Sequence, residues 1–312
     1  MEARILMKKI LFGAGKVGKH LLSEDIIKDV AYFCDTRPSD TEIFGIKVIS
    51  FKQLIKIHND YQVVLTVKNK NAKEEIKAML ESNEISYIEY DELDEVKYAG
   101  EQGYWDYCFE KGQGHFDNSH YKKLMLGIAG ESSDAFLAGK VVADFGCGPR
   151  GSLAWMESPA MKIGIDVLAK NYVEKYGQEM ISHGMTYVTS TEKYIPLPDN
   201  TVDCLITINS LDHVRNIQDI ANELLRILKK DGLILCSFNL NEPKTECEPQ
   251  TLTEQLLEEV LLKHFNIISY RIAKKNYEDT YKDMFEEKYV SKSEGDDAYI
   301  LWVCGRKNRD LS

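Results

Sequence analysis

Residues 141–151 read Val141-Val142-Ala143-Asp144-Phe145-Gly146-Cys147-Gly148-Pro149-Arg150-Gly151. An apolar stretch of strand composition runs into a turn that Gly146 and Gly148 allow to bend sharply and to approach a ligand closely. Asp166, 20 residues beyond Gly146, closes a second apolar stretch, Ile163-Gly164-Ile165. A carboxylate at that spacing suits the two hydroxyls of a ribose. The turn contains no Gly-Lys-Ser/Thr, so it is not a triphosphate-binding P-loop.

The same pattern of strand, Gly-rich turn, helix and strand ending in Asp occurs once before. Ile10-Leu11-Phe12 leads into Gly13-Ala14-Gly15-Lys16-Val17-Gly18, and Asp35 closes Ala31-Tyr32-Phe33-Cys34. Two such turns about 130 residues apart in a chain of 312 residues predict two α/β domains. The acidic stretch that ends with Gly100 and Gly103 sets the boundary, giving domains 1–98 and 99–312. In the first domain, helices are expected near 16–28, 51–58 and 71–83, the last with Ile76, Met79 and Leu80 on one face. In the second, apolar strands at 141–146, 161–166, 186–190, 202–209, 233–239, 266–272 and 298–305 alternate with helices near 169–183, 216–230 and 251–265. That alternation predicts a mostly parallel sheet covered by helices on both faces. Ile217, Ile220, Ala221, Leu224, Leu225 and Leu228 form one stripe, and Asp231-Gly232 is the expected helix stop. A polar, Tyr-rich segment before the last strand suits an antiparallel final strand or an inserted lid.

Composition narrows the partners. Hydrophobic residues are 44% and charged residues 29%, a globular balance, and the net charge is −11. Residues 1–98 hold 15 basic against 17 acidic residues, which leaves −9 on the second domain. Such acidity disfavours a nucleic acid or an anionic membrane as partner. The first nine residues carry charges around a very short apolar patch, unlike a signal peptide, and a cytoplasmic location is expected. The seven cysteines are scattered without C-x-x-C pairs, so neither a disulfide framework nor a zinc site is expected.

Several stretches together resemble the class I S-adenosylmethionine-dependent methyltransferases. Val142 to Gly148 is similar to that family's first motif, and Ile163-Gly164-Ile165-Asp166 to its second. Ser190-Thr191-Glu192, followed by Ile195-Pro196-Leu197-Pro198-Asp199-Asn200-Thr201-Val202-Asp203, resembles its adenine-side loop and the Pro-rich approach to the fourth strand. Ile208 to Val214 resembles the segment after that strand, and Glu223 to Leu235 the helix, turn and strand beyond it. The resemblance implies two Rossmann-like domains, the second a seven-stranded methyltransferase sheet, with S-adenosyl-L-methionine as cofactor. It implies that Asp144 and the backbone of Gly146, Cys147 and Gly148 hold the methionine portion, that Asp166 with Val167 takes the ribose, and that Thr191 and Glu192 border the adenine. Asn209 would lie beside the methionine end. Two departures are visible: Pro149-Arg150 displaces the third glycine to Gly151, and Ser190 stands where an Asp is frequent.

For the acceptor, His213 is the candidate base, because it follows the fourth strand and titrates near neutral pH. A helix-capping or packing role for the same residue fits slightly better. Asp212 would hold the substrate, orient His213 or be solvated. His115, His120 and Tyr121 are read as lid residues facing substrate or cofactor, with a loop and helix cap as the plainer alternative. Trp105, Tyr107, Tyr277, Tyr281, Phe285 and Tyr289 either line the pocket or pack. No H-E-x-x-H-type spacing appears, so no metal is expected.

In the first domain, Gly13, Gly15, Gly18 and Asp35 match a dinucleotide fingerprint, although only about 95 residues are available, roughly half of a dinucleotide fold. Residues 8–90 also resemble small Rossmann-like domains attached to bacterial sugar-modifying enzymes, which implies a nucleotide or nucleotide-linked sugar there. The expected activity is methylation of a small-molecule acceptor at oxygen or nitrogen, with a homodimer through the first domain. The alternatives are an NAD-dependent oxidoreductase working at the first turn and a non-catalytic nucleotide sensor.

Overall fold

The computed structural model describes residues 7–295 and 297–309. Residues 1–6, two-thirds of the stretch read for a signal peptide, lie outside the described residues. The chain divides into two compact units between Gly103 and Tyr104.

The first unit contains strands β1 (Lys9–Phe12), β2 (Val30–Asp35), β3 (Glu42–Ile43), β4 (Ile46–Ser50), β5 (Gln62–Leu65) and β6 (Tyr87–Glu89) in the order β3-β4-β2-β1-β5-β6. All pairings are parallel except β3 with β4. The chain moves one way from β1 through β2 to β4, then crosses to β5 on the other side of β1, so the order reverses between β1 and β5. Helices α1 (Lys16–Ser23), α2 (Phe51–Ile57) and α3 (Lys70–Glu81) join the strands. Ile76 and Leu80 of α3 are buried and Met79 is half-buried, as the stripe predicts. Helix α4 (Asp94–Lys111) runs through the expected boundary at 98/99 and through Gly100 and Gly103. An interior glycine costs a helix only about 1 kcal/mol, so these two do not break it.

The second unit holds strands β7 (Val141–Phe145), β8 (Met161–Asp166), β9 (Thr186–Thr189), β10 (Val202–Ile208), β11 (Leu228–Leu240), β12 (Phe265–Lys274) and β13 (Tyr299–Lys307). Their order is β12-β13-β11-β10-β7-β8-β9, and β13 alone runs antiparallel to its neighbours. This mixed seven-stranded sheet has the strand number that the resemblance implies. Helices α5 (His120–Ala129), α6 (Ala169–Ser182), α7 (Ile217–Ile227) and α8 (Glu254–Val260), with the single turn α9 (Lys282–Phe285), complete the unit. Two buried apolar clusters pack against the sheet, one containing the α7 stripe and one containing Leu124, Met125 and Ile128 of α5 with Trp302.

Two local expectations fail. Helix α7 stops at Ile227, not at Asp231-Gly232. The amides of Asn200 and Thr201 donate to the carbonyls of Arg226 and Ile227, and Lys307 Nζ donates to Leu225 and Leu228, so the last carbonyls are satisfied early. Leu228 then pairs with Val202, and β11 begins there. The Gly-rich turn of this unit also leads into no helix. Residues 146–160 cross from β7 to β8 through turns, which the breakers Gly148, Pro149, Gly151 and Pro159 favour. Asp134 accepts from the amides of Glu157 and Ser158, and Lys162 Nζ donates to the carbonyls of Ala154, Met156 and His183, which replaces the hydrogen bonds a helix would have made.

Candidate functional site

The strand order of the second unit reverses between β7 and β10, and ligands of open α/β sheets bind at the carboxyl ends of strands at such a reversal. The turn 146–151 sits there. Gly146 has φ +70° and Gly148 φ +53°, conformations that strain any side chain. A Cβ on Gly146 would lie 2.2 Å from Ser210 Cβ, and one on Gly148 would lie 2.7 Å from the Trp105 ring. The turn is held in place by Asp166. Its carboxylate accepts from the Gly148 amide at 3.0 Å and from the Leu168 amide at 2.9 Å. Gly146 itself is exposed while Phe145, Cys147, Gly148 and Pro149 are buried, so the turn presents its backbone at that one point.

Behind the turn Asp144 is 2% exposed. Its Oδ2 accepts a short bond from Ser152 Oγ, and its Oδ1 has no partner. Burial, with the Asp166 charge adding to it, pushes its carboxyl up to about 7. Cys147 is buried and its thiol is held well above its ordinary range by burial, so it packs rather than reacts. Five of the seven cysteines are buried in this way.

Beyond β10, Asn209 has φ +48° and a fully engaged side chain: Oδ1 accepts from Ser237 Oγ at 2.9 Å, and Nδ2 donates to the Tyr281 hydroxyl at 3.1 Å. Tyr281 stacks on His120 at 6.4 Å, and His120 lies 4.1 Å from the Tyr121 ring. Burial lowers the pKa of His120, with Arg150 adding to the effect, and pushes the Tyr281 phenol up to about 12, so both are neutral at pH 7. His120, Tyr121, Tyr281 and Asn209 therefore form one group. His115 goes elsewhere: it is largely exposed, and its Nδ1 is 3.0 Å from Glu179 on α6. Among the late aromatics only Tyr281 reaches this group. Phe285 and Met284 pack on Gly127 of α5, and Tyr277 is exposed.

At the adenine-side loop, Thr191 is exposed and its Oγ1 closes a turn by accepting from the amides of Lys193 and Tyr194. Glu192 Oε2 accepts from the Arg215 amide at 3.2 Å, and Val167 sits half-buried beside Asp166. Ser190 is buried with its hydroxyl unpartnered. After β10, Asp212 is 4% exposed, and burial raises its pKa. It stands with His213 and with Glu248 from the loop between β11 and α8.

The sequence reading missed Arg150, Ser152, Ser210 and Glu248. Arg150 lies over the Trp105 ring at 5.2 Å, its Nη2 donates to Cys108 Sγ at 3.7 Å, and its buried Nε has no partner. Arg150 was visible in the motif as a departure from the glycine pattern. Glu248, 35 residues past His213, carries no spacing signal.

In the first unit, Gly13 has φ +126°, and a Cβ there would lie 2.9 Å from the Thr66 carbonyl. A Cβ on Gly18 would lie 2.5 Å from the Gly13 carbonyl, whereas Gly15 faces open space. Asp35 accepts from the amides of Ala14 at 3.4 Å and Arg37 at 2.9 Å. These glycines and Asp35 thus build the turn after β1, at the reversal of that sheet.

No curated protein matches this chain in sequence. A SAM-dependent methyltransferase structure from Thermotoga maritima is 15% identical, covers 68% of this chain and all of its own, and has a TM-score of 0.44. One from Mesorhizobium loti is 15% identical over 55% of this chain and 92% of its own, with a TM-score of 0.40. Residues 143–236 match the family described as Methyltransferase domain. That match begins inside β7, takes in the turn, Asp166 and Asn209, and ends inside β11, so it is the sheet of the second unit and its Gly-rich turn that are similar to a methyltransferase domain.

Proposed function

We propose that this protein moves a methyl group from S-adenosyl-L-methionine to a small molecule, at an oxygen or a nitrogen. The observation that carries the reading is the exposed backbone of Gly146 in a turn tied to the Asp166 carboxylate at the reversal of the sheet. The residues fit the cofactor chemically. Asp166 accepts from the amides of Gly148 and Leu168 at the carboxyl end of β8; a carboxylate at that position suits ribose hydroxyls, with Val167 beside it. The turn from Gly146 to Gly148 faces the methionine portion, and the unpartnered Asp144 oxygen behind it favours that portion's cationic end. The Arg150 guanidinium, whose Nε is buried without a partner, suits the methionine carboxylate. Thr191 and Glu192 border the adenine, and Asn209 presents its backbone near the reacting end.

The cofactor supplies an electrophilic methyl on a sulfonium, and the displacement needs the acceptor in line at about 3–3.5 Å. His120, Tyr121 and Tyr281 wall the acceptor side as neutral groups, and His213 and Asp212 stand at the end of β10 to help the acceptor lose its proton. The −9 carried by residues 99–312 favours a neutral or cationic acceptor over a nucleic acid. Incubation with methyl-labelled cofactor and a small-molecule extract tests the activity: label must appear in a low-mass product, and label only in protein or RNA would count against this reading.

For the first unit we propose a nucleotide or nucleotide-linked sugar at the turn Gly13–Gly18, because Gly15 leaves open space at the reversal between β1 and β5. Calorimetry with UDP-sugars and NAD tests it. Tight NAD binding would favour an oxidoreductase, and no binding would leave the unit a structural or dimerising module.

A further inference from the structure

The acidic group after β10 has a property that neither cofactor binding nor packing explains. Asp212, His213 and Glu248 each offer a ligand atom, and these atoms all lie within 4.8 Å of one another. His213 Nε2 is 3.9 Å from Glu248 Oε1. Asp212 is 4% exposed, yet its Oδ1 has no hydrogen-bond partner, and its Oδ2 accepts only a long bond of 3.4 Å from Asn239 Nδ2. Asn239 Oδ1, at the end of β11, is also buried without a partner. A buried carboxylate next to a second carboxylate is costly unless a positive charge compensates it. No Lys or Arg is paired with Asp212 among the described residues.

We propose that Asp212, His213 and Glu248, with Asn239 Oδ1 as a further oxygen donor, bind a divalent cation. The mixed nitrogen and oxygen donors suit Mn²⁺ or Zn²⁺ better than Ca²⁺, which prefers oxygen alone. Bonds of about 2.0–2.3 Å place neighbouring ligands about 3 Å apart and opposite ones about 4.4 Å apart. Glu248 and His213 are half-exposed, and their separation of 3.9 Å already lies between those two spacings. The inference rests on the methyltransferase reading for its consequence alone: a cation beside the acceptor would lower the pKa of a bound hydroxyl, leaving His213 as a ligand rather than the proton acceptor.

Mn²⁺ is the probe. Electron paramagnetic resonance of the full chain titrated with Mn²⁺ should show a bound ion, with Zn²⁺ displacing it. Glu248→Gln and Asp212→Asn should each weaken binding at least about tenfold. Glu248→Gln lies on a surface loop, so it remains informative if Asp212→Asn fails to fold. S-adenosylhomocysteine calorimetry on the same samples is the independent readout. Loss of Mn²⁺ binding with the homocysteine analogue still bound supports the cation site. Wild-type protein that takes up no Mn²⁺ and no Zn²⁺, or variants that bind as tightly as wild type, would overturn it while leaving the methyltransferase reading intact.

Discussion

Gly146→Ala tests the built turn most sharply, because the structure separates two costs. The first is conformational: φ is +70° at this position, and a left-handed residue with a side chain costs about 1–2 kcal/mol. The second is steric. The new Cβ would lie 2.2 Å from Ser210 Cβ and 2.7 Å from its Oγ. Ser210 cannot swing away cheaply, since it is buried and its hydroxyl donates to the Phe145 carbonyl at 2.9 Å and meets Thr207 Oγ1 at 2.6 Å. Breaking a bond to a buried carbonyl costs about 1–3 kcal/mol. The expected loss of stability is therefore about 2–5 kcal/mol, read by urea denaturation. Affinity for S-adenosylhomocysteine should fall at least about tenfold, or 1.4 kcal/mol, since the turn must move. Ser210→Gly removes the clashing atoms and leaves only Ser210 Cα at an ordinary 3.6 Å. The double variant Gly146→Ala/Ser210→Gly should then be more stable than the sum of the singles by about 1 kcal/mol or more. Additive effects within about 0.5 kcal/mol, or a loss below about 1 kcal/mol for Gly146→Ala alone, would refute the clash and with it the close approach at this turn.

Other expectations follow from single residues. Asp166→Ala removes the acceptor for the amides of Gly148 and Leu168, and calorimetry should show a drop in S-adenosylhomocysteine affinity of roughly 10–100-fold. Arg150→Ala should weaken the same ligand by roughly tenfold or more while leaving 5′-methylthioadenosine, which lacks the amino-acid portion, unaffected; equal losses for both ligands would remove Arg150 from the carboxylate. Asp144 has a folded-state carboxyl pushed up to about 7, above its unfolded value. The folded chain thus keeps a proton that the unfolded chain has lost, so stability falls as pH rises from about 4 to 7, by an amount on the order of 2–4 kcal/mol. Asp144→Asn should flatten that slope in urea titrations across the window, and an unchanged slope would place the proton elsewhere.

Much of the second unit was legible in its sequence. The strands follow from long apolar runs, and the α7 face follows from a 3.6-residue stripe whose buried members are Ile217, Ile220, Ala221, Leu224 and Ile227. Asp166 and the two glycines are visible because the turn geometry restricts which residues fit. What escaped the reading depends on tertiary partners. Helix α7 ends at Ile227 because Asn200, Thr201 and Lys307 claim its last carbonyls, and nothing near Asp231 announces that. The Gly-rich turn leads to no helix because Asp134, 23 residues before Glu157, and Lys162, just past the crossover, satisfy its backbone. His115 and His120 look alike in one motif, yet only His120 meets Tyr281, and the choice is made by Glu179 on α6. Glu248 joins His213 through a loop whose path no local pattern encodes.

The central claim is that the crevice of the second unit holds the methyl-donor cofactor, and titration calorimetry of the full chain with S-adenosylhomocysteine and, separately, with NAD tests it most directly. The account predicts binding of the homocysteine analogue at one site that Asp166→Ala weakens. Binding of NAD with no heat from S-adenosylhomocysteine, or an Asp166→Ala variant that binds the analogue as tightly as wild type, would contradict it.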